Sequence, residues 1–351
     1  MATLLDFTQF NFSTEEVRAV NQMVMDEIIK SPDFNLIHTI YPGIRIDREI
    51  GFVGAGGLVG KARQGCDPQP HDWNIGSRML KWTPTDWEIL IHDCYLDLKS
   101  TAAVYSLKQG TAQPDFINTD YMAIVTEVLA AAMLEMLWRL VWFSDTDAAD
   151  ITGGGLLTDG TDEGYFNLLD GFWKQIDTQV TADATRKVTI AENGGASYAL
   201  QALPKTNILT YLNDLVFKAP LELRGLAGNF FACTQSFYDA YAQSLQGKDL
   251  ETMFTNMVDG TKRLTFNGYP LIPIATWDLT IKAYYDNGTT LYKPHRALFT
   301  NKAILGVGVD STQELQEFDV WFNKDDRKVK MEGMGTIDAK LMNPKFFQVA
   351  Y

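Results

Sequence analysis

The apolar segment 118–143 constrains this chain more than any other feature of its sequence. Its polar side chains Glu127, Glu135 and Arg139 are eight and four residues apart, so in a helix they form one narrow stripe. A helix that is apolar on nearly every other side must be covered by the rest of the protein. Glu135 and Arg139 also interrupt the run of about twenty apolar residues that a membrane span needs. The sequence therefore predicts a buried helix over 118–143, around which a core is built.

The composition provides material for such a core. Of the 351 residues, 46% are hydrophobic and 21% are charged, which is typical of a globular chain and not of a disordered one. The length corresponds to about two domains. The net charge of −14 argues against binding of nucleic acid or anionic lipid by bulk charge. We therefore expect a chain that folds in water and does not bind a membrane.

The cysteines and the first residues argue against two further classes of protein, those held by a disulfide framework and those with a secretory signal peptide. Cys66, Cys94 and Cys233 are odd in number and show no CxxC spacing, so a disulfide framework is not expected. The first ten residues contain Asp6 and no basic side chain before an apolar stretch, which is unlike a secretory signal peptide.

The N-terminal region predicts an amphipathic helix over 13–30. Ser13 and Glu16 have the spacing of a capping box, and valine or isoleucine recurs at positions 17, 20, 24 and 28. Ser31 and Pro32 end the pattern. A helix with one apolar side must dock on its own core or on a neighbouring molecule.

Residues 44–92 predict a long β-hairpin. Ile44, Ile46 and Ile50 alternate with charged residues, a glycine- and proline-rich tip follows, and a second extended stretch covers 78–91. An isolated hairpin is marginally stable in water, so a long one is expected to lean on a partner.

The second half of the chain mixes helices and strands. The patterns predict helices at 208–215 and 235–245, a buried strand at 229–233, a strand–turn–strand unit over 261–274 with its turn at Asn267-Gly268, and a strand at 277–284. The C-terminal stretch alternates at 318–322, 329–331, 337–341 and 347–351, which predicts an antiparallel meander.

No pattern in the chain indicates a nucleotide site. The glycine cluster 51–61 has Ala55 and Ala62 where a phosphate-binding loop needs glycine and serine or threonine, and Val59 where a dinucleotide turn needs glycine. We interpret the cluster as part of the hairpin arm.

The segment 145–192 is acidic, with ten carboxylates against three cations, which gives −7 or half of the chain's net charge. Asp145, Asp147 and Asp150 are candidate ligands for a hard cation, but Ala149 and Asp150 replace the oxygen ligand and the glycine of an EF-hand. A solvated acidic loop is the favoured interpretation.

The remaining reactive side chains form no recognisable catalytic or zinc-binding group. His92 with Cys94, and Cys66 with His71, lack further ligands at zinc-site spacing. The stretch 195–199 resembles a nucleophile elbow with alanine in place of its second glycine. We predict no catalytic, cofactor-binding or metal-binding residues, no cofactor, and no enzymatic activity.

The basic residues near the C-terminus suggest a contact between copies of the chain. Lys324, Arg327, Lys328 and Lys330 gather around a predicted turn, and they are hypothesised to face the acidic segment 145–192 of another copy.

The order of these segments resembles the major capsid protein of tailed bacteriophages, which has the Hong Kong 97-like fold. The stretches of sequence that carry the resemblance are Leu137–Asp145, Thr265–Pro273, Arg296–Asp310 and Phe318–Lys330. The resemblance extends over nearly the whole chain and contains no catalytic motif.

The resemblance implies an α+β fold in which arms and loops wrap around neighbouring subunits. Its parts are an N-terminal arm (1–43), an extended β-hairpin loop (44–92), a peripheral domain (93–150, with a long spine helix at 118–143), an axial domain (151–305) and closing β-strands of the peripheral domain (306–351).

The implied function is self-assembly, through hexamers and pentamers, into an icosahedral shell that encloses the double-stranded DNA genome of a tailed phage. DNA would be enclosed without sequence-specific binding, and portal, scaffolding and decoration proteins would be partners. The implied location is the virion capsid, assembled in the cytoplasm of a bacterial host.

Three alternatives stay open at this point. The same fold would suit an encapsulin-like shell, in which a cargo peptide would be found inside the particle. A non-capsid enzyme with a metal site in the acidic loop would show turnover that depends on Asp147. A smaller ring or tail component of a virion is the third alternative.

Overall fold

The computed structural model describes residues 32–44, 49–53, 77–94, 120–246, 254–256, 262–310, 319–323 and 328–351. The amphipathic helix predicted over 13–30 and the predicted hairpin tip lie outside these residues. None of the described helices combines the length and the apolar character needed to cross a bilayer.

The chain forms an α+β structure, as expected. Its described helices are α1 (Pro32–Ile37), α2 (Asp120–Phe143), α3 (Phe172–Ala182), α4 (Ile208–Phe217), α5 (Leu221–Arg224), α6 (Gln235–Ser244) and α7 (Ala275–Tyr284). Its described strands are β1 (Thr39–Pro42), β2 (Glu49–Val53), β3 (Ser77–Lys81), β4 (Thr85–Cys94), β5 (Lys187–Val188), β6 (Asn229–Cys233), β7 (Phe254–Asn256), β8 (Lys262–Phe266), β9 (Tyr269–Pro273), β10 (Ala297–Asn301), β11 (Leu305–Val309), β12 (Asp319–Asn323), β13 (Lys328–Leu341) and β14 (Gln348–Ala350).

Helix α2 (Asp120–Phe143) confirms the helix predicted over 118–143 as far as the structure describes it. Its last two turns are buried, with Trp142 fully shielded from solvent, while Glu135 of the polar stripe is exposed. The indole ring of Trp142 packs edge-on against Trp277 of α7 at 4.5 Å and tilted against Trp173 of α3 at 5.5 Å. Three tryptophans on three helices thus form the centre of the main core.

A seven-stranded sheet, in the order β5-β14-β10-β6-β9-β8-β7, is covered on both faces. In β6, Phe230 and Ala232 belong to the core under α2, α3 and α7, whereas Phe231 and Cys233 belong to a second core under α4 and α6. Alternate residues of a strand point to opposite faces. Since both faces are covered here, each residue of β6 and β10 is buried. This confirms the buried strand predicted at 229–233.

A second sheet has β1-β11-β13-β12 as neighbours, with β4 on the other edge of β13. The 14-residue strand β13 pairs along one edge with β4 and along the other with β11 and β12 in turn. The predicted strands at 329–331 and 337–341 are thus two parts of one strand.

The C-terminal strand corrects the predicted meander. Strand β14 does not pair with β13 but lies in the seven-stranded sheet, antiparallel to β10 and parallel to β5. Phe347 and Val349 belong to the main core, so burial of this apolar end decides where the strand pairs. The alternation at 347–351 identifies a strand but carries no information about its partner.

The strand predicted at 277–284 is wrong, because these residues form helix α7. Trp277, Thr280 and Ile281 are its buried positions, which is the spacing of one helix face. Aromatic and β-branched residues favour strands when they are read alone, but packing of Trp277 against α2 and α3 overrides that preference. The predicted helices at 208–215 and 235–245 are confirmed as α4 and α6.

The predicted hairpins are present where the structure describes them. Strands β8 and β9 are joined by Asn267 (φ 51°) and Gly268 (φ 81°), the left-handed pair that a tight two-residue turn requires. Strands β2 and β3 are antiparallel, with Gly51 opposite Met79. The second extended stretch is divided, because β3 pairs with β2 while β4 turns away at residues 82–84 and pairs with β13.

Candidate functional site

The acidic loop after α2 satisfies its carboxylates within the chain. The Nζ of Lys174 lies 2.7 Å from Asp145 and 2.8 Å from Asp147, and Asp150 accepts a hydrogen bond from the backbone N–H of Gly153 at 2.6 Å. Partial burial opposes the charge of Lys174, but its two hydrogen bonds outweigh that effect and raise its pKa. Among the described residues, no three His, Cys, Asp or Glu side chains are grouped so as to hold a metal ion.

The other cysteines and the remaining candidate histidines from the sequence lie in strand β4, in the core or outside the described residues. His92 and Cys94 lie in β4 opposite Lys330 and Lys328, whereas Cys66, His71 and most of the glycine cluster lie outside the described residues. Cys233 is fully buried, and burial raises the pKa of its thiol, which keeps it protonated and unreactive.

The stretch 195–199 does not have the geometry of a nucleophile elbow. It follows the 3₁₀ turn Ala191–Gly194 rather than a strand. An elbow needs a strand-to-helix turn to present its serine.

A serine–histidine pair that the sequence analysis missed lies at the start of α6. His295 Nδ1 is 2.7 Å from the hydroxyl of Ser236, and Nε2 contacts the carbonyl oxygen of Gln201. However, Asp278 accepts the backbone N–H of Gln235 at 2.7 Å and that of Ser236, so the amides that would stabilise an oxyanion are taken. Within the parts of the chain that the structure describes, this pair joins three segments and has no carboxylate on the histidine and no free oxyanion donors.

A buried cation–aromatic cluster, also missed, joins α3 to the segment before β10. The guanidinium of Arg296 lies 4.9 Å from the ring centre of Trp173, and its Nε donates to the carbonyl of Lys293 at 2.9 Å. Lys293 pairs with Asp177 at 3.0 Å and lies 3.7 Å from the ring centre of Tyr351. Burial lowers the pKa of both cations. These groups satisfy one another, so their role is structural.

His38 anchors the chain that leads into β1. Its Nδ1–H donates to the carbonyl of Phe34 at 3.0 Å, and its Nε2 accepts the indole N–H of Trp142 at 2.9 Å. The imidazole stacks on Phe172 at 5.7 Å with the rings nearly parallel. Burial lowers the pKa of His38 to about 3, so the ring is neutral and held in one tautomer.

A second anchor, the joint, is formed by Ile44, Trp82 and Met342 on the outer face of β11. A Cβ at Gly308 would lie 2.8 Å from Ile44 and 2.9 Å from Trp82, and one at Gly306 would overlap Met342. Glycine at both positions therefore lets the segments on either side of the predicted hairpin cross the sheet. The N–H of Thr83 next to Trp82 donates to the buried carboxylate of Asp338 at 2.7 Å.

Two groups of large apolar side chains face solvent beyond these anchors. One follows β3, β4 and β13, where Met79, Leu90 and Met334 are 67%, 60% and 43% exposed. The other lies at the end of α4 and the start of α5, where Phe217 and Leu221 are 63% and 73% exposed. Contiguous exposed apolar side chains mark interaction surfaces more often than isolated ones do.

The comparisons with known proteins point to one fold. No protein-family model and no curated protein matches the sequence. A chain of the satellite phage P4 procapsid, a structure that includes the size determination (Sid) protein, matches at a TM-score of 0.55 and 12% identity, over 94% of this chain and 89% of that one. A chain of Mycobacterium phage Ogopogo matches at 0.50 and 12%, over 90% and 89%.

The chain has the fold of phage capsid proteins. This confirms the phage capsid fold that the sequence resemblance implied, while its arm, loop, spine helix and domain assignments stay predictions. At 12% identity the likeness concerns the path of the backbone and transfers no individual residue's role.

Proposed function

We propose that this chain is the major capsid protein of a tailed phage. It assembles through hexamers and pentamers into an icosahedral shell around double-stranded DNA, and its role is structural rather than enzymatic. The observation that carries the proposal is the likeness to a procapsid chain over 94% of the residues. The net charge of −14 suits a container that does not grip the nucleic acid inside it.

The two anchors support this proposal. His38 fixes the segment that follows the proposed arm residues 1–31 to the body, and the joint fixes the segments on either side of the proposed extended loop. A shell protein needs such fixed points, because arms that wrap neighbours enlarge each contact only if their bases are held.

The parts of the chain are assigned on the same basis. The proposal keeps an N-terminal arm (1–43), an extended loop (44–92), a peripheral domain (93–150 and 306–351) with α2 as its spine, and an axial domain (151–305). Portal, scaffolding and decoration proteins are proposed partners, and the virion is the proposed location.

The first test is expression of the chain alone and with its neighbouring gene products, followed by sedimentation and negative-stain microscopy of the fastest fraction. The proposal predicts shells or capsomer rings, and shells from the complete set contain nuclease-protected DNA. A shell that instead holds a co-purifying enzyme would indicate an encapsulin-like container. A monomer under every condition, with metal-dependent turnover that Asp147→Ala abolishes, would contradict the proposal.

A further inference from the structure

A cavity of about 380 Å³ lies beside the end of α2, and we call it the Arg139 pocket. Arg139, Tyr165, Phe166 and Tyr284 line it together with the loop 160–162. The pocket is open to solvent on one side, and Tyr165 at its rim is 61% exposed. Aromatic residues and arginine are the residue types most enriched at the centres of protein interfaces.

Arg139 is held by aromatic rings but has no acidic partner among the described residues. Its guanidinium carbon lies 5.7 Å from the ring centre of Tyr165 and 5.6 Å from that of Phe166, within the range of cation–π contacts. Its Nε is shielded from solvent and has no hydrogen-bond partner. Within the described part of the chain, the guanidinium makes neither a hydrogen bond nor an ion pair, and it does not pair with Glu135 one turn earlier on α2.

Two acidic groups at or next to the pocket are engaged in other hydrogen bonds. The carboxylate of Asp162 accepts the N–H of Gly164 at 2.9 Å and caps a 3₁₀ turn, and Glu163 accepts the N–H of Asp150 at 3.0 Å. The two rings hold the guanidinium by cation–π contact, and a guanidinium presents coplanar donors that suit a two-pronged acceptor. Arg139 thus lines an open pocket without an acceptor for its guanidinium among the described residues, so the pocket is suited to an incoming anionic group.

We infer that the Arg139 pocket receives a carboxylate side chain from a second copy of this chain. Charge complementarity argues for that occupant, because the chain carries 44 carboxylates and a net charge of −14, so neighbouring copies bring acidic side chains to each other's surfaces. The ring of Tyr165 covers the pair from solvent. The inference rests on the proposed function, since it requires copies of the chain to meet.

Substitutions of Arg139, of Tyr165 at the rim and of the nearby Asp162 test this inference. Arg139→Gln removes the donor plane and is expected to raise the protein concentration for half-maximal assembly by at least ~10-fold, while Arg139→Lys and Tyr165→Ala give intermediate increases. Asp162→Asn keeps an oxygen for the cap but removes a repelling charge, so assembly is expected at lower concentration. Lys205→Gln, which removes an exposed cation elsewhere, is the matched control and leaves assembly unchanged.

A photo-crosslinking residue at position 165 identifies the occupant. In wild-type-like particles we expect crosslinks between two copies, on a peptide that contains Asp or Glu, and none in the unassembled chain. A crosslink within one copy or to a different protein would overturn the inference.

The two hypotheses fail in different ways. If the wild-type chain forms no particles with any of its neighbouring gene products, the proposed function fails. If particles form, and Arg139→Gln and Tyr165→Ala match the wild type in assembly, only the pocket inference is wrong. Thermal melting of each unassembled variant separates lost contact from lost folding, and Arg139→Lys with Tyr165→Ala decides the matter if Arg139→Gln does not fold.

Discussion

The two large sheets of this molecule are built from similar strands but differ in what covers them. The seven-stranded sheet has a core on each face, and each residue of β6 and β10 is buried. Among the described residues, the joint at Ile44, Trp82 and Met342 covers one end of the outer face of the other sheet. At its other end Leu90 of β4 and Met334 of β13 are exposed. The described residues thus cover one sheet on both faces and leave part of the outer face of the other sheet exposed.

The register explains why the second sheet is open on one face only. Glu88 lies opposite Met334, and Leu90 lies opposite Glu332, so these four side chains share the outer face. Trp87, which precedes Glu88 in β4, points to the inner face and is buried. An antiparallel sheet commonly packs one face on the core and leaves the other to solvent, but the solvent face is usually polar. Leucine and methionine there indicate a contact surface.

The largest expected effect is damage to the completed sheet. Phe299→Ala in β10 removes a fully buried ring that packs 4.9 Å from Phe231, and it is expected to lower the free energy of unfolding by about 3–5 kcal/mol. Denaturant unfolding of the unassembled chain measures this loss. A loss below about 1 kcal/mol would show that Phe299 is not packed in a core that covers this face of the sheet.

Acid is expected to weaken the His38 anchor, which lies in the main core and holds the segment that leads into β1. Burial lowers the pKa of His38 from 6.5 to about 3, whereas the unfolded chain takes up this proton near pH 6.5. The stabilisation is complete above pH 6.5 and is lost as the pH falls towards 3, which amounts to about 3 kcal/mol between pH 7 and pH 4. Lys302 is the charged group that acts on the ring, and it disfavours protonation further.

His38→Gln is the control for this effect, since it cannot titrate. Unfolding free energies measured across pH 4–7 are expected to fall less steeply for the variant than for the wild type. Equal slopes would contradict the buried, neutral state of His38.

A side chain added at Gly308 of β11 should disturb the joint and lower the free energy of unfolding by a smaller amount. Gly308→Ala places a methyl group 2.8 Å from Ile44 and 2.9 Å from Trp82, and is expected to cost about 1–3 kcal/mol by overpacking. Gly194→Ala is the matched control, because a Cβ there meets nothing within 4 Å. Unfolding by denaturant compares the two, and equal stabilities would show that the joint does not depend on the glycine.

The smallest effect on stability is expected on the open face. Leu90→Ser should change the free energy of unfolding by less than about 0.5 kcal/mol, because the side chain is 60% exposed, yet it should reduce the yield of particles. Leu279→Ser, at an equally exposed leucine flanked by Asp278 and Lys282 on α7, is the control. Unchanged assembly of the Leu90 variant, measured by sedimentation, would argue that neighbours do not use this face.

The elements that sequence reasoning recovers are those with a strong local pattern. Helix α2 and strand β6 follow from continuous apolar runs of helix and strand length, and the turn at Asn267-Gly268 follows from its need for positive φ. Helix α7 was misassigned because its aromatic and β-branched residues favour strands, and β14 because alternation does not identify a partner strand.

The site residues escaped prediction for a related reason. His38 and Trp142 are 104 positions apart, and their hydrogen bond depends on how α1 meets α2. The glycines of β11 look like weak strand residues until Ile44 and Met342 are seen above them. In the sequence Arg139 is one member of a narrow polar stripe on α2, but in the structure its guanidinium contacts the rings of Tyr165 and Phe166. Each of these contacts depends on tertiary structure and has no local signature.

A reconstruction of the assembled particle by electron cryo-microscopy tests the central claim most directly. The account predicts a neighbouring copy in contact with Leu90 and Met334 on the open sheet face, while both cores around Phe231 and Trp142 remain within one copy. A particle in which that face looks onto solvent and the copies touch elsewhere would contradict it, as would a chain that stays monomeric with every neighbouring gene product.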